Sequence, residues 1–188
     1  MKSLWHFALA LLILVGTLGV AQADDDSDTV KLFKDAGQSA AFFSKSYAYA
    51  VFPTIGKGGL VVGGARGSGR VYAQSKLIGD TTMTQLSIGF QAGGTAYSEI
   101  IFFQDKRALD EFTSGNFEFS AGVSAIAITS AASANAGTTG AGSSASGGKK
   151  DAATSGEFYK GMAVFTIAKG GLMYEATVAG QKFSYKSR

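Results

Sequence analysis

Between residues 28 and 49 apolar side chains recur at helical spacing. At about 100° per residue, Leu32, Phe33, Ala36, Ala40, Phe43 and Tyr47 fall within one arc of about 100°, the width of a core-facing stripe. Pro53 marks the end of this pattern, because the residue before a proline is pushed toward extended backbone. Beyond it the segments GGLVVGGARG, RVYAQSKL, TQLSIGFQAGG and AYSEIIFFQ read as strands. They are short, rich in Val, Ile, Tyr and Phe, and separated by Gly or by the turn GDTT. DKRALDEFTSG, residues 105–115, predicts a short helix with Asp105 as cap, Ala108, Leu109 and Phe112 as its apolar face, and Gly115 at its stop. Alternation resumes in FEFSAGVSAIAIT, where Phe117, Phe119, Ala121 and Val123 point one way. The last stretch, GEFYKGMAVFTIAKGGLMYEATVAGQKFSYK, predicts two or three strands completing the same sheet. The pattern therefore predicts a single α+β domain: a curved, mostly antiparallel sheet flanked by an N-terminal amphipathic helix and a second short helix.

Two segments fall outside this pattern. Lys2, the apolar run Leu9–Val20 and Ala21-Gln22-Ala23 have the form of a signal peptide over residues 1–23, too short and wrongly flanked for a spanning helix. The acidic run Asp24–Asp26 favours cleavage there. An exported protein of residues 24–188 is expected, in the periplasm or cell envelope and peripheral rather than transmembrane. Residues 133–156 are almost wholly Ala, Ser, Thr, Gly and Asn, with Lys149, Lys150 and Asp151. Such a segment buries too little apolar surface to offset its ordering entropy and is expected to be a mobile loop.

Composition narrows the chemistry. The chain has no Cys, and its one His, His6, lies in the leader. The expected mature protein thus lacks Ser-His-Asp triads, Cys nucleophiles and thiolate or imidazole metal sites. The carboxylates Glu99, Asp105, Asp110, Glu111, Glu118, Glu157 and Glu175 show no spacing that pairs an acid with a base. No enzyme activity, cofactor or metal is expected. The formal charge is +3, and loss of Lys2 with the leader leaves +2, too little to imply nucleic acid.

Two Lys-Gly-Gly runs, at Lys57 and Lys169, invite comparison with phosphate loops. Gly56-Lys57 is followed by Gly58-Gly59 and strand residues, with no helix start to receive a phosphate, and GARGSG (residues 64–69) lacks dinucleotide spacing. No nucleotide is expected. The glycines instead predict a strongly curved strand pair where rings or backbone approach closely. On the first helix Lys31, Lys34 and Lys45 fall within about 60° of one another, opposite the apolar stripe, and Phe42 falls with them. A basic face carrying an aromatic suits an anionic membrane surface. The plainer alternative is a solvated lysine face, weakened by Asp35, with Phe42 covered by the following strands.

AYAVFPTIGKGGLVVGGARGSGRVY, TQLSIGFQAGGTAYSEIIFF with ALDEFTSG, and GMAVFTIAKGGLMYEATVAGQKFSY together resemble the SYLF domain (Ysc84-type) from about Lys31 to Tyr185. Eukaryotic relatives bind phosphoinositide membranes and some bind actin; bacterial ones are exported, lipid-binding envelope proteins. The resemblance implies a lipid-binding module rather than an enzyme. The family's basic residues and amphipathic segment correspond here to Lys31, Lys34 and Lys45, with Lys57, Arg66 and Arg70 as a second group. Lys169, at the second Lys-Gly-Gly, joins Lys57 as a headgroup contact. This chain carries a leader and no SH3 or FYVE segment, so anionic bacterial phospholipid replaces phosphoinositide and actin as the expected partner. The alternative is an envelope protein that self-associates, or docks to another protein, through a patterned strand edge.

Overall fold

The computed structural model describes residues 18–59, 62–88, 94–120, 125–128, 158–169 and 178–188. Most of the expected leader, the 133–156 segment and the glycines after Lys169 lie outside these residues. Three helical pieces open the described chain: α1 (Leu18–Asp35), α2 (Gly37–Ala40) and α3 (Phe42–Lys45). Strands β1 (Ala48–Gly59), β2 (Val62–Ala73), β3 (Lys76–Ile88) and β4 (Thr95–Phe103) follow. Then come α4 (Lys106–Phe112), β5 (Phe117–Glu118), β6 (Ile126–Ile128), β7 (Met162–Lys169) and β8 (Lys182–Ser187). The strands form one curled sheet, a half-barrel, in the order β5-β8-β3-β2-β1-β4-β7-β6. Every pairing is antiparallel except β6 with β7. The expected α+β domain with a mostly antiparallel, curved sheet is what the chain forms.

The concave face is lined by Ala48, Ala50, Phe52, Ile55, Val71, Met83, Ile101, Phe103 and Phe183, closed by Leu109 and Phe112 of α4. Asp105 caps α4 as expected, its carboxylate accepting from the Ala108 N–H at 2.8 Å. On the outer face Phe33, Ala36 and Phe42 cover Ile100, Phe102, Ala163, Phe165 and Ile167. The β4–β7 part of the sheet is thus packed on both sides.

Local boundaries differ from the pattern-based reading in several places, and GGLVVGGARG, read as one strand, covers the end of β1 at Gly59 and the start of β2 at Val62. The predicted helix over 28–49 breaks at Ala36, which is extended at φ −83° and ψ 108°, and ends at Lys45. Leu32, assigned to its buried stripe, is 37% exposed. Pro53 lies inside β1, where a bulge between Phe52 and Ile55 absorbs the missing N–H and the Ser98 hydroxyl donates to the Pro53 carbonyl at 2.7 Å. The GDTT segment runs through β3, and the turn falls instead at Gln74–Ser75, both at positive φ without a glycine.

The glycines fall into two sets. A Cβ at Gly69 would lie 2.5 Å from the Phe52 ring, and one at Gly67 2.5 Å from the Ile55 side chain. These positions are empty of side chain because β1 fills them from the concave side. Gly56 and Gly58 face outward, where a Cβ meets nothing within 4 Å.

One polar contact crosses the concavity. Gln181, just before β8, donates from Nε2 to Glu99 Oε2 on β4 at 3.0 Å and to the Tyr97 hydroxyl at 3.3 Å. Three strands separate β8 from β4 in the sheet, so this contact ties one side of the curl to the other. Burial pushes the Glu99 carboxyl up to about 7, the Gln181 hydrogen bond opposing. Glu99 Oε1, Gln181 Oε1 and the Thr166 hydroxyl, opposite Glu99 in register, make no hydrogen bond among the described residues. A proton on Glu99 supplies the donor that a carboxylate lacks.

Two outcomes follow from this packing. Because the folded protein holds the Glu99 proton more tightly than the unfolded chain, stability is fully present below about 4.5 and declines as pH rises to about 7. The loss is about 3 kcal/mol in denaturant titrations, and Glu99→Gln removes this pH dependence. Gly69→Ala lowers stability by about 1–3 kcal/mol through overpacking, whereas Gly56→Ala changes it by no more than about 0.5 kcal/mol.

Candidate functional site

The three helical pieces cover only part of the outer face. Strand register places the uncovered part residue by residue. Gly56 pairs with Arg66 on one side and Ala96 on the other; Ala96 pairs with Lys169, Arg66 with Thr84, and Thr84 with Lys182. Lys182, Thr84, Arg66, Gly56, Ala96 and Lys169 therefore form one row across six strands, all of them exposed except half-buried Ala96. The next row is Thr54, Ser68, Thr82 and Ser184, and on the other side stand Gly58, Gly64 and Leu86, the last 87% exposed. Small and hydroxylated side chains thus leave three cations standing over a low surface.

Their partners differ. Lys169 Nζ donates to the Thr54 hydroxyl at 2.8 Å, and Lys182 Nζ lies 3.6 Å from Glu118. Arg66 forms no ion pair among the described residues. Beside it a groove of about 460 Å³ is lined by Asp25 at the start of the described α1 side chains and by Pro53, Thr54, Gly56, Arg66, Gly67 and Ser68 of the sheet.

The residues singled out from sequence scatter over four environments. Arg66 and Lys169 share the outer row. Lys57 pairs with Ala65 on the concave side, so it stands at the mouth of the curl, half-buried, and not beside Arg66. Lys31 and Lys34 are exposed on α1, the first paired with Asp35, which raises its pKa, and the second 5.3 Å from the Phe43 ring centroid. Lys45 ends α3, past the break at Ala36, so the three lysines do not lie along one helix.

Two placements are corrected. Phe42 is 2% exposed, with its ring 4.9 Å from Phe165 and 5.7 Å from Phe102. It packs beneath the helical pieces and is not an exposed aromatic on a basic face, because the break after α1 rotates it onto the sheet. Arg70 is 7% exposed and donates to Asp26 at 2.9 Å, where the Tyr72 hydroxyl also donates at 2.9 Å. Burial raises the Asp26 pKa, with Tyr72 and Arg70 opposing. The pair fastens α1 to β2. Lys182 and Lys186, which occupy the outer face of β8, were not among the predicted contacts. The alternation in KFSYKS, with Phe183 and Tyr185 inward, carries that signal.

Residues 84–187 match the sequence model of the Ysc84 family, described as "Las17-binding protein actin regulator". The chain is also similar to Beta cell expansion factor A of Aeromonas veronii, 28% identical over 160 residues, which is 84% of this chain and 53% of that protein. It spans about half the length of this curated relative.

Removing one partner of the Asp26–Arg70 pair leaves a buried charge uncompensated. Asp26→Ala is expected to lower unfolding stability by about 3–5 kcal/mol, measured by urea denaturation. Tyr72→Phe removes only one hydrogen bond and costs about 1–3 kcal/mol.

Proposed function

The chain belongs to the Ysc84 (SYLF) family, and from that membership we propose that it binds anionic phospholipid at the cell envelope through the uncovered outer face of its sheet. The family is generally non-enzymatic, and lipid binding is known within it. The observation that carries the reading is the row of Arg66, Lys169 and Lys182 over a floor of Gly, Ala, Ser and Thr. Cations raised above small side chains can reach headgroup phosphates without first displacing bulky neighbours. Leu86 beside them offers an apolar contact at the same level. Lys31, Lys34 and Lys45 form a second, more scattered cationic group on the helical pieces, and Lys57 stands at the concave mouth.

No described helix is long and apolar enough to cross a membrane. Attachment is therefore read as peripheral, after export directed by residues 1–23. An assembly role through a sheet edge has less support, because the described edge strands β5 and β6 are two and three residues long. The words Las17 and actin belong to the family's description, and nothing on the outer face singles out either partner.

Each Lys or Arg held near an anionic surface contributes about 1 kcal/mol, so three give on the order of a hundredfold in affinity. Co-sedimentation with phosphatidylglycerol vesicles is expected to show binding that weakens as salt rises. The triple variant Arg66→Glu, Lys169→Glu, Lys182→Glu loses about a hundredfold or more. Binding unchanged in that variant, and lost in Lys31→Glu, Lys34→Glu, Lys45→Glu, would move the contact to the helical pieces.

A further inference from the structure

We propose that the groove between α1 and the β1–β2 strands is a headgroup site for a primary ammonium and a phosphate joined by a short linker, as in phosphoethanolamine lipids. The inference rests on the lipid reading above and adds a specificity to it.

The groove carries opposite charges that do not satisfy each other. Asp25 and Arg66 both line it, both are exposed, and neither forms an ion pair among the described residues. A gap therefore separates carboxylate from guanidinium. On the cationic side Lys169 is held at the rim by Thr54, and the Ser68 hydroxyl lies in the same lining. Phosphate oxygens suit that side, since Arg, Lys and hydroxyl groups all donate to them. Asp25 suits an ammonium with N–H groups to donate.

The charge arrangement discriminates among headgroups. A purely anionic group placed on Arg66 brings no partner for Asp25 and is repelled by it. A quaternary ammonium offers Asp25 charge but no hydrogen bond, and its methyl groups enlarge the head. The primary ammonium alone satisfies both ends. At Gly56 a Cβ would meet nothing within 4 Å, so this part of the lining carries no side chain into the groove. Asp26, the next residue, is held by Arg70 and Tyr72, which keeps this end of α1 beside the groove.

Vesicles with a constant fraction of phosphatidylglycerol, completed with either phosphatidylcholine or phosphatidylethanolamine, test the site with the purified protein. Binding is expected to be about tenfold tighter with the ethanolamine lipid, the scale of one charge-assisted hydrogen bond. Asp25→Asn, and separately Gly56→Leu, which fills the floor without changing charge, are expected to abolish that difference. Asp25→Asn retains the salt-sensitive binding to phosphatidylglycerol. Equal binding to the two vesicle types, or a preference that survives both substitutions, overturns the groove proposal and leaves the surface reading standing. Loss of all vesicle binding in the unmodified protein sinks both. Soluble O-phosphoethanolamine and inorganic phosphate, titrated by NMR, separate the ligand sources. Shifts at Asp25, Gly56 and Arg66 with phosphoethanolamine alone support the site. Equal shifts with inorganic phosphate would make it an anion site and overturn the proposal.

Discussion

The Phe52 ring lies where a side chain on Gly69 would be, and this constraint organises the sheet. A strand pair that curls brings its concave side chains together, and bulk on both strands at one position cannot be accommodated at interior packing density. Here β1 supplies the bulk, through Phe52 and Ile55, and β2 supplies its absence, through Gly69 and Gly67. The same division recurs where Tyr185 of β8 lies over Gly79 of β3, whose Cβ would come 2.4 Å from the ring. Curl, in turn, brings Gln181 within hydrogen-bond distance of Glu99, although three strands intervene along the sheet. A polar contact at that place is reachable only because glycine lets the strands bend.

Curl also divides the outer face. Its aromatic half, Phe102 and Phe165 with Tyr49 beside them, is covered by Phe33, Phe42 and Phe43. Its other half carries Gly, Ser and Thr between Arg66, Lys169 and Lys182. Leaving the latter exposed costs little, because those residues bury no large apolar area. Among the described residues of this half, Leu86 is the large apolar side chain left outside, and it stands beside the cations at the same end of the sheet as Lys169.

Much of this was legible in the sequence where side-chain period and chemistry agree. The α4 cap and face and the strand AYSEIIFFQ follow from local rules and are found as expected, and close approach at the glycines holds at Gly67 and Gly69 but not at Gly58. The first helix was not legible, because Leu32 to Tyr47 keeps a helical period through Ala36, where the backbone turns extended and Phe42 beyond it packs on Phe102 and Phe165. Phe42 changes face at that break. Arg70 illustrates a second limit: its charge suggested solvent, but its partner lies 44 residues away, and no local pattern reveals such a pair. Lys57 shows a third. The bulge between Phe52 and Ile55 resets the alternation of β1, and Lys57, directly after outward Gly56, pairs with Ala65 and ends on the opposite face from Arg66.

The Asp26–Arg70 pair links these limits to function. A buried ion pair contributes little net stability, since desolvation offsets most of its attraction, but a charge with one acceptable partner fixes orientation. Asp26 and Asp25 are consecutive on α1 and point about 100° apart. Fixing the first against Arg70 and Tyr72 therefore fixes the rotation of α1 about its own axis and directs the second to the groove rim. An apolar contact at residue 26 would hold the helix down without choosing its rotation so narrowly. The ion pair thus sets how α1 lies on the sheet, and with it where Asp25 stands relative to Arg66 across the groove.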